Sequence, residues 1–192
     1  MPDKSGSFGK KQLMISVFSA LLTVSVLHVI STSFGFLITL EGQECFPYKY
    51  WIVEKLARVD VGDYVAFKGH GIPNFPEGTT WVKKIAGKSG CRIESKRLDP
   101  GERSKDTVFV NEVPKLLKVQ GHVYLYCGDN HLVTGFDVFG EDTKSRSLPM
   151  IASQYIPKGK YYVMAPAKRS FDSRYWGFVD ESWIIGKAHP IY

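Results

Sequence analysis

From Leu13 to Leu40 the chain has no Asp, Glu, Lys or Arg, although its 192 residues include 25 basic and 19 acidic ones. His28 is the only ionisable side chain in that run. A bilayer crossing needs about 20 apolar residues, so a membrane anchor is expected, with a buried soluble helix as the weaker reading. The run also lacks the A-x-A-like exit of a cleaved secretory signal. It ends in FGFLITLEG and is longer than a signal's apolar region, so the anchor is expected to stay uncleaved. Cysteine is scarce: Cys45, Cys91 and Cys127 fit no zinc spacing and cannot all pair within one chain. Cys91 with Cys127 is one pairing open to them, leaving Cys45 as the odd thiol. No repeat of 20 to 50 residues is present, and no metal or organic cofactor is indicated.

What is there begins with charge placement. Lys4, Lys10 and Lys11 precede the apolar run against a single Asp3, while Glu41 and Glu44 follow it. The positive-inside bias then keeps residues 1–12 in the cytoplasm, makes 13–34 the span, and sends 42–192 to the far side, a periplasm or a secretory lumen. The net charge of +6 is spread along the chain and interleaved with acids. It reads as solvated surface near a membrane, so no nucleic-acid partner is expected.

After the anchor come short alternating segments: YWIVEKL, DYVAFKG, TWVKKIAG, CRIES, TVFVNEV, HVYLYCG, KYYVMA and SWIIGKA. Val, Ile and aromatics recur at every second place between Gly, Pro, Asn and Asp, which predicts one mainly β domain. The stretches 68–78 and 98–106 read as linkers, and 139–159 as a surface excursion or a lid.

Cys45 stands just past the anchor and admits three readings: a packed cysteine, half of a disulfide, or a nucleophile. A catalytic thiol needs a base, and His70, His122, His131 and His189 show no arrangement that would supply one. Lys83 and Lys84 are adjacent within an apolar β segment, so their side chains point to opposite faces. One of them is expected to face inward, unless this is an edge strand with both amines reaching water. Burial disfavours an ammonium, and a lysine so placed can accept a proton near pH 7. In SFDSRYWGFV, Ser170, Asp172 and Arg174 alternate and share one side if the segment is extended, with Asp172 and Arg174 as an ion pair.

Taken in order, these segments resemble the type I signal peptidase family. SFDSRYWGFV (170–179) with IIGKA (184–188) is similar to that family's last box, and IPKGKYYVM (156–164) to the strand before it. VKKIAGKSG (82–90) resembles the lysine box and VGDYVAF (61–67) the strand between nucleophile and base. ECFP with YKYW, the SLP at 147–149 and the direct step from VMA to KRSFDSRYWG look like the TraF-type peptidases of conjugative transfer. The resemblance implies a signal-peptidase-like β fold behind one N-terminal transmembrane helix in a bacterial inner membrane, with the C-terminal domain periplasmic.

By the same resemblance Cys45 takes the place of the family's nucleophilic serine and Lys83 that of the general base. Ser170 would orient Lys83, Lys84 is the neighbouring basic residue, and Asp172 with Arg174 holds the supporting strand. The backbone N–H of Cys45 and the side chain of Gln43 are the expected oxyanion donors. Cys91 stands where the family usually has Asp. Phe46, Tyr48, Tyr50 and Trp51 are expected to form a membrane-facing aromatic surface that helps bury Lys83. The implied partner is an exported pilin precursor or another secreted protein, processed by a Cys/Lys dyad, with cyclisation favoured by a thioester. A non-catalytic anchored β module that binds pilin or secretion components is the rival, and a housekeeping signal peptidase of broad range a third reading.

Overall fold

The computed structural model describes residues 5–39, 45–102, 104–110, 113–128 and 131–191. The chain divides into two units, residues 1–35 and 36–192. The first is dominated by helix α1, Ser5–Ser33. Its part from Gly9 to Ser33 is, among the described residues, the one helix long and apolar enough to cross a membrane. At 1.5 Å per residue this part rises about 37 Å, against a hydrocarbon core of about 30 Å. Several hydroxyls within it turn back on the helix: Thr23 donates to the Ser19 carbonyl, Ser25 to Leu21 and Thr32 to His28. They therefore bring no unsatisfied donor to an apolar surrounding.

The second unit is a β domain with two sheets. The larger runs in the order β1 (Phe34–Ile38), β2 (Tyr50–Glu54), β12 (Ile184–Ile191), β3 (Tyr64–Lys68), β4 (Thr80–Lys88), β10 (Lys160–Met164) and β11 (Val179–Asp180). The smaller runs β6 (Lys105–Val110), β7 (Val113–Cys127), β5 (Arg92–Arg97) and β9 (Gln154–Tyr155), with β8 (His131–Phe139) also paired to β7. Alternation explains the long strand β7: Leu117, Val119, Gly121, Val123 and Leu125 are buried while the residues alternating with them are more exposed. Val123 and Leu125 pack with Ile93 of β5, Val138 of β8 and Tyr162 and Met164 of β10, which joins the two sheets through one core.

Cys91 and Cys127 form a disulfide with Cα atoms 4.3 Å apart, directly beside the Arg92–Tyr126 pair of β5 and β7. Cys45 is the free thiol. The glycine of IIGKA has a steric reason. A Cβ on Gly186 would lie 2.3 Å from the Glu54 carbonyl oxygen, at a register shift between Ile184 and Gly186.

Three expectations change. TVFVNEV is not one strand: β6 ends at Val110 and β7 begins at Val113, with Asn111 and Glu112 outside the described residues. The segment after Ser170 is not extended, because Ser173–Trp176 forms a one-turn helix, α2, capped by Asp172. The aromatic segment 46–51 is not a surface: Phe46 and Trp51 are buried, Tyr48 is half-buried, and the three rings pack edge-on around Tyr64. Of that group Tyr50 alone is exposed.

Replacing both disulfide cysteines with alanine, which avoids leaving a lone thiol, is expected to lower unfolding free energy by about 2–4 kcal/mol. Denaturant unfolding of the full-length protein in detergent, read from tryptophan fluorescence, checks this.

Candidate active site

Strand β4 places the two lysines on opposite faces. Lys83 pairs with Val65 of β3 and is 0% exposed, while Lys84 points outward with its ammonium 5.9 Å from the Tyr64 ring centroid. Lys84 therefore does not share the surroundings of Lys83, as expected for neighbours in a pleated strand. Inside, Lys83 Nζ lies 2.9 Å from Cys45 Sγ and donates to Ser170 Oγ at 2.8 Å. Among the described residues no carboxylate forms an ion pair with Lys83. Trp81, two positions earlier on the same face of β4, sets its ring 5.5 Å from Nζ. Sequence reasoning passed over Trp81, although its i−2 spacing from Lys83 was the available signal.

Ser170 is held by its backbone. Its N–H donates to the Ala167 carbonyl, and its own carbonyl accepts from Arg174 Nη2 at 3.0 Å. The Arg174 guanidinium also donates to Asp172 Oδ1 at 2.8 Å and Oδ2 at 2.9 Å, and to the Asp137 carbonyl of β8 at 3.1 Å. Asp172 in turn caps α2 by accepting from the Arg174 N–H and takes a further bond from the Ala165 N–H just after β10. Burial alone would push the Arg174 guanidinium down, but the charge and hydrogen bonds of Asp172 outweigh it and hold it above its ordinary range. The chain Lys83, Ser170, Arg174, Asp172 thus ties β4, the turn before α2, β10 and β8 to one buried point. The Ser173 hydroxyl, which was not singled out, adds to it by accepting from the Val163 N–H of β10.

Cys45 and Lys83 open on a cleft of about 760 Å³. One wall is formed by Leu37, Ile38 and Thr39, at and just past the end of edge strand β1, and another by Thr80, Trp81 and Val82 of β4. Strand β4 pairs with β3 along Thr80–Lys84 but with β10 only from Lys84 onward. Among the described residues, one side of Thr80–Lys83 is left without a strand partner. The end of β8 and the segment after it contribute Phe139, Glu141 to Lys144, Arg146 and Leu148 to the same cleft. The excursion expected at 139–159 is therefore partly a wall.

Gln43 lies outside the described residues. His70, His122 and His189 are engaged elsewhere, with Glu77, Asp137 and Glu54. No group of metal-ligating side chains occurs among the described residues.

The profile of the signal peptidase family, peptidase S26, matches residues 11–192. The conjugal transfer protein TraF of Agrobacterium fabrum is 26% identical over 153 residues, covering 76% of this chain and 77% of that protein. Signal peptidase IB of Staphylococcus aureus is 25% identical over 188 residues, 93% of this chain and 88% of the relative. Signal peptidase I of Haemophilus influenzae is 26% identical over 144 residues, 72% of this chain but 40% of the longer relative. The chain belongs to the signal peptidase family. It is a peptidase of the signal-peptidase type, TraF-like, a family that implies a secreted protein substrate and a membrane association.

Asp172→Leu should destabilise the domain by about 3–5 kcal/mol, because it strands the Arg174 charge in the interior. The double variant Asp172→Leu/Arg174→Met should recover a large part of that loss. A thermal or denaturant double-mutant cycle measures both.

Proposed function

We propose that the protein processes an exported pilin precursor of a conjugative transfer system, with Cys45 as nucleophile and Lys83 as general base. The observation that carries this reading is the 2.9 Å approach of Lys83 Nζ to Cys45 Sγ at a fully buried amine with no carboxylate partner among the described residues. Such an amine has no evident purpose in a module that only binds, which weighs against the non-catalytic alternative.

In the proposed sequence Lys83 takes the Cys45 proton and the thiolate attacks the scissile carbonyl carbon. The tetrahedral oxyanion is met by the Cys45 N–H and a Gln43 amide N–H. Collapse breaks the C–N bond, Lys83 returns its proton to the leaving amine, and a thioester remains. Water or a substrate amine then attacks that thioester, gives its proton to Lys83 and releases the thiolate. Because amines attack thioesters more readily than oxygen esters, ring closure of the pilin is the outcome the cysteine favours, with linear trimming as the competing one. Ser170 orients the Lys83 amine, and Asp172 with Arg174 fixes Ser170. Lys84 contributes from the outer face of β4.

Substrate is held as an added strand, which the unpartnered side of Thr80–Lys83 and the edge strand β1 both favour, since main-chain donors and acceptors there await pairing. Residues 13–34 form the anchor, residues 1–12 lie in the cytoplasm and residues 42–192 in the periplasm of a bacterial inner membrane, as the flanking lysines favour.

Pilin processing by Cys45→Ala and Lys83→Ala should fall by at least about a hundredfold, and Cys45→Ser should retain part of the activity. Full processing by Cys45→Ala contradicts the assignment. In the mass of the product, a chain lighter by one water than the trimmed linear form indicates ring closure, and the linear mass alone excludes it.

A further inference from the structure

The cleft does not end at the Cys45–Lys83 pair. Its far wall includes the turn after β8, and that turn is rigidly placed. The Gly140 N–H donates to Lys118 of β7, the Leu148 N–H to Gly140, and Glu141 bridges Ser147. Within the turn Asp142 is fully committed: it accepts from the Lys144 and Arg146 N–H groups and from the Arg146 guanidinium at 2.6 Å. Glu141 is not. It is half-buried, lines the cleft, and among the described residues makes no ion pair. The cation left over in the turn, Lys144, is solvent-exposed.

A half-buried carboxylate loses hydration that a cation can restore. The cleft that Glu141 lines also carries apolar side chains that are not fully buried, among them Ile38, Phe75, Trp81 and Leu148. Apolar side chains and a carboxylate on one cleft match a flexible alkyl stem carrying an ammonium head. We propose that Glu141 forms a subsite for a primary ammonium group of the substrate peptide, on the same cleft as the dyad. The inference deepens the peptidase reading above and rests on it. The ammonium has two sources, a lysine side chain of the bound strand or the peptide's own N-terminal amine.

The test uses full-length protein in detergent micelles and fluorescent decapeptides in which one lysine, norleucine or glutamate is scanned through each position, with free or acetylated N-termini. Binding is read by anisotropy on Cys45→Ala, alone and combined with Glu141→Gln or Glu141→Lys, and cleavage is read on the parent. At one position lysine should bind about tenfold more tightly than norleucine, a ratio that falls to about one with Glu141→Gln and inverts toward glutamate with Glu141→Lys. If acetylation instead causes the tenfold loss, and Glu141→Gln erases that effect, the N-terminal amine is the source. If Glu141→Gln changes neither ratio, the subsite is overturned. Lysine-selective binding without cleavage by the parent retains the subsite and removes the peptidase reading. Cleavage without selectivity does the reverse.

Discussion

An amine that is fully buried beside a thiol constrains everything around it. Lys83 has given up its hydration and, among the described residues, has no carboxylate in return, so its polar contacts are a sulfur and a hydroxyl. Burying an ammonium without a counter-ion costs several kcal/mol, and strands β3 and β4 must be stable enough to sustain whatever protonation state the site adopts. They are central in the larger sheet, with Val65, Ala66, Phe67 and Ile85 all at 0% exposure around the lysine. The rigid sheet is therefore the physical condition for the proposed dyad, because a looser one would admit water to the amine.

The second buried charge works differently. Arg174 gives two of its five donors to Asp172 and one each to the Ser170 and Asp137 carbonyls. A buried, multiply hydrogen-bonded ion pair of this kind contributes little net stability relative to an apolar replacement, but it fixes geometry. Here it fixes the carbonyl of the residue whose hydroxyl receives Lys83. Local order thus passes to Ser170 and Lys83 from β8 through the Asp137 carbonyl and from the β10 end through the Val163 and Ala165 N–H groups, and the short box from Ser170 to Arg174 is concentrated where those bonds meet.

Much of this was legible in the residues themselves. The strands of the larger sheet follow from alternation, and adjacent lysines in one of them already required that one face inward. What was hidden depends on distant partners. Strand β8 carries Gly135, which weakens its strand signal, opposite Tyr124 of β7, whose ring lies 2.9 Å from where a Cβ would stand. Strand β1 runs straight on from an apolar helix, so hydropathy marks no boundary at Phe34. The aromatic cluster at 46–51 is buried because Tyr64 from another strand completes it, and the helix at Ser173 is too short to show a period. Ser170, Asp172 and Arg174 share one side only if their segment is extended; it turns instead, and the pairing of Asp172 with Arg174 holds because the capping aspartate reaches the same guanidinium through the turn.

The coupling of sulfur and amine is tested most directly by the alkylation rate of Cys45. With the Cys91–Cys127 disulfide intact, full-length protein and Lys83→Met are treated with iodoacetamide at pH 7 and the modified thiol is quantified by mass. The account predicts that the parent reacts about tenfold or more faster, since the neighbouring amine takes the thiol proton. Equal rates in the two proteins, with Cys45 equally accessible, would contradict it.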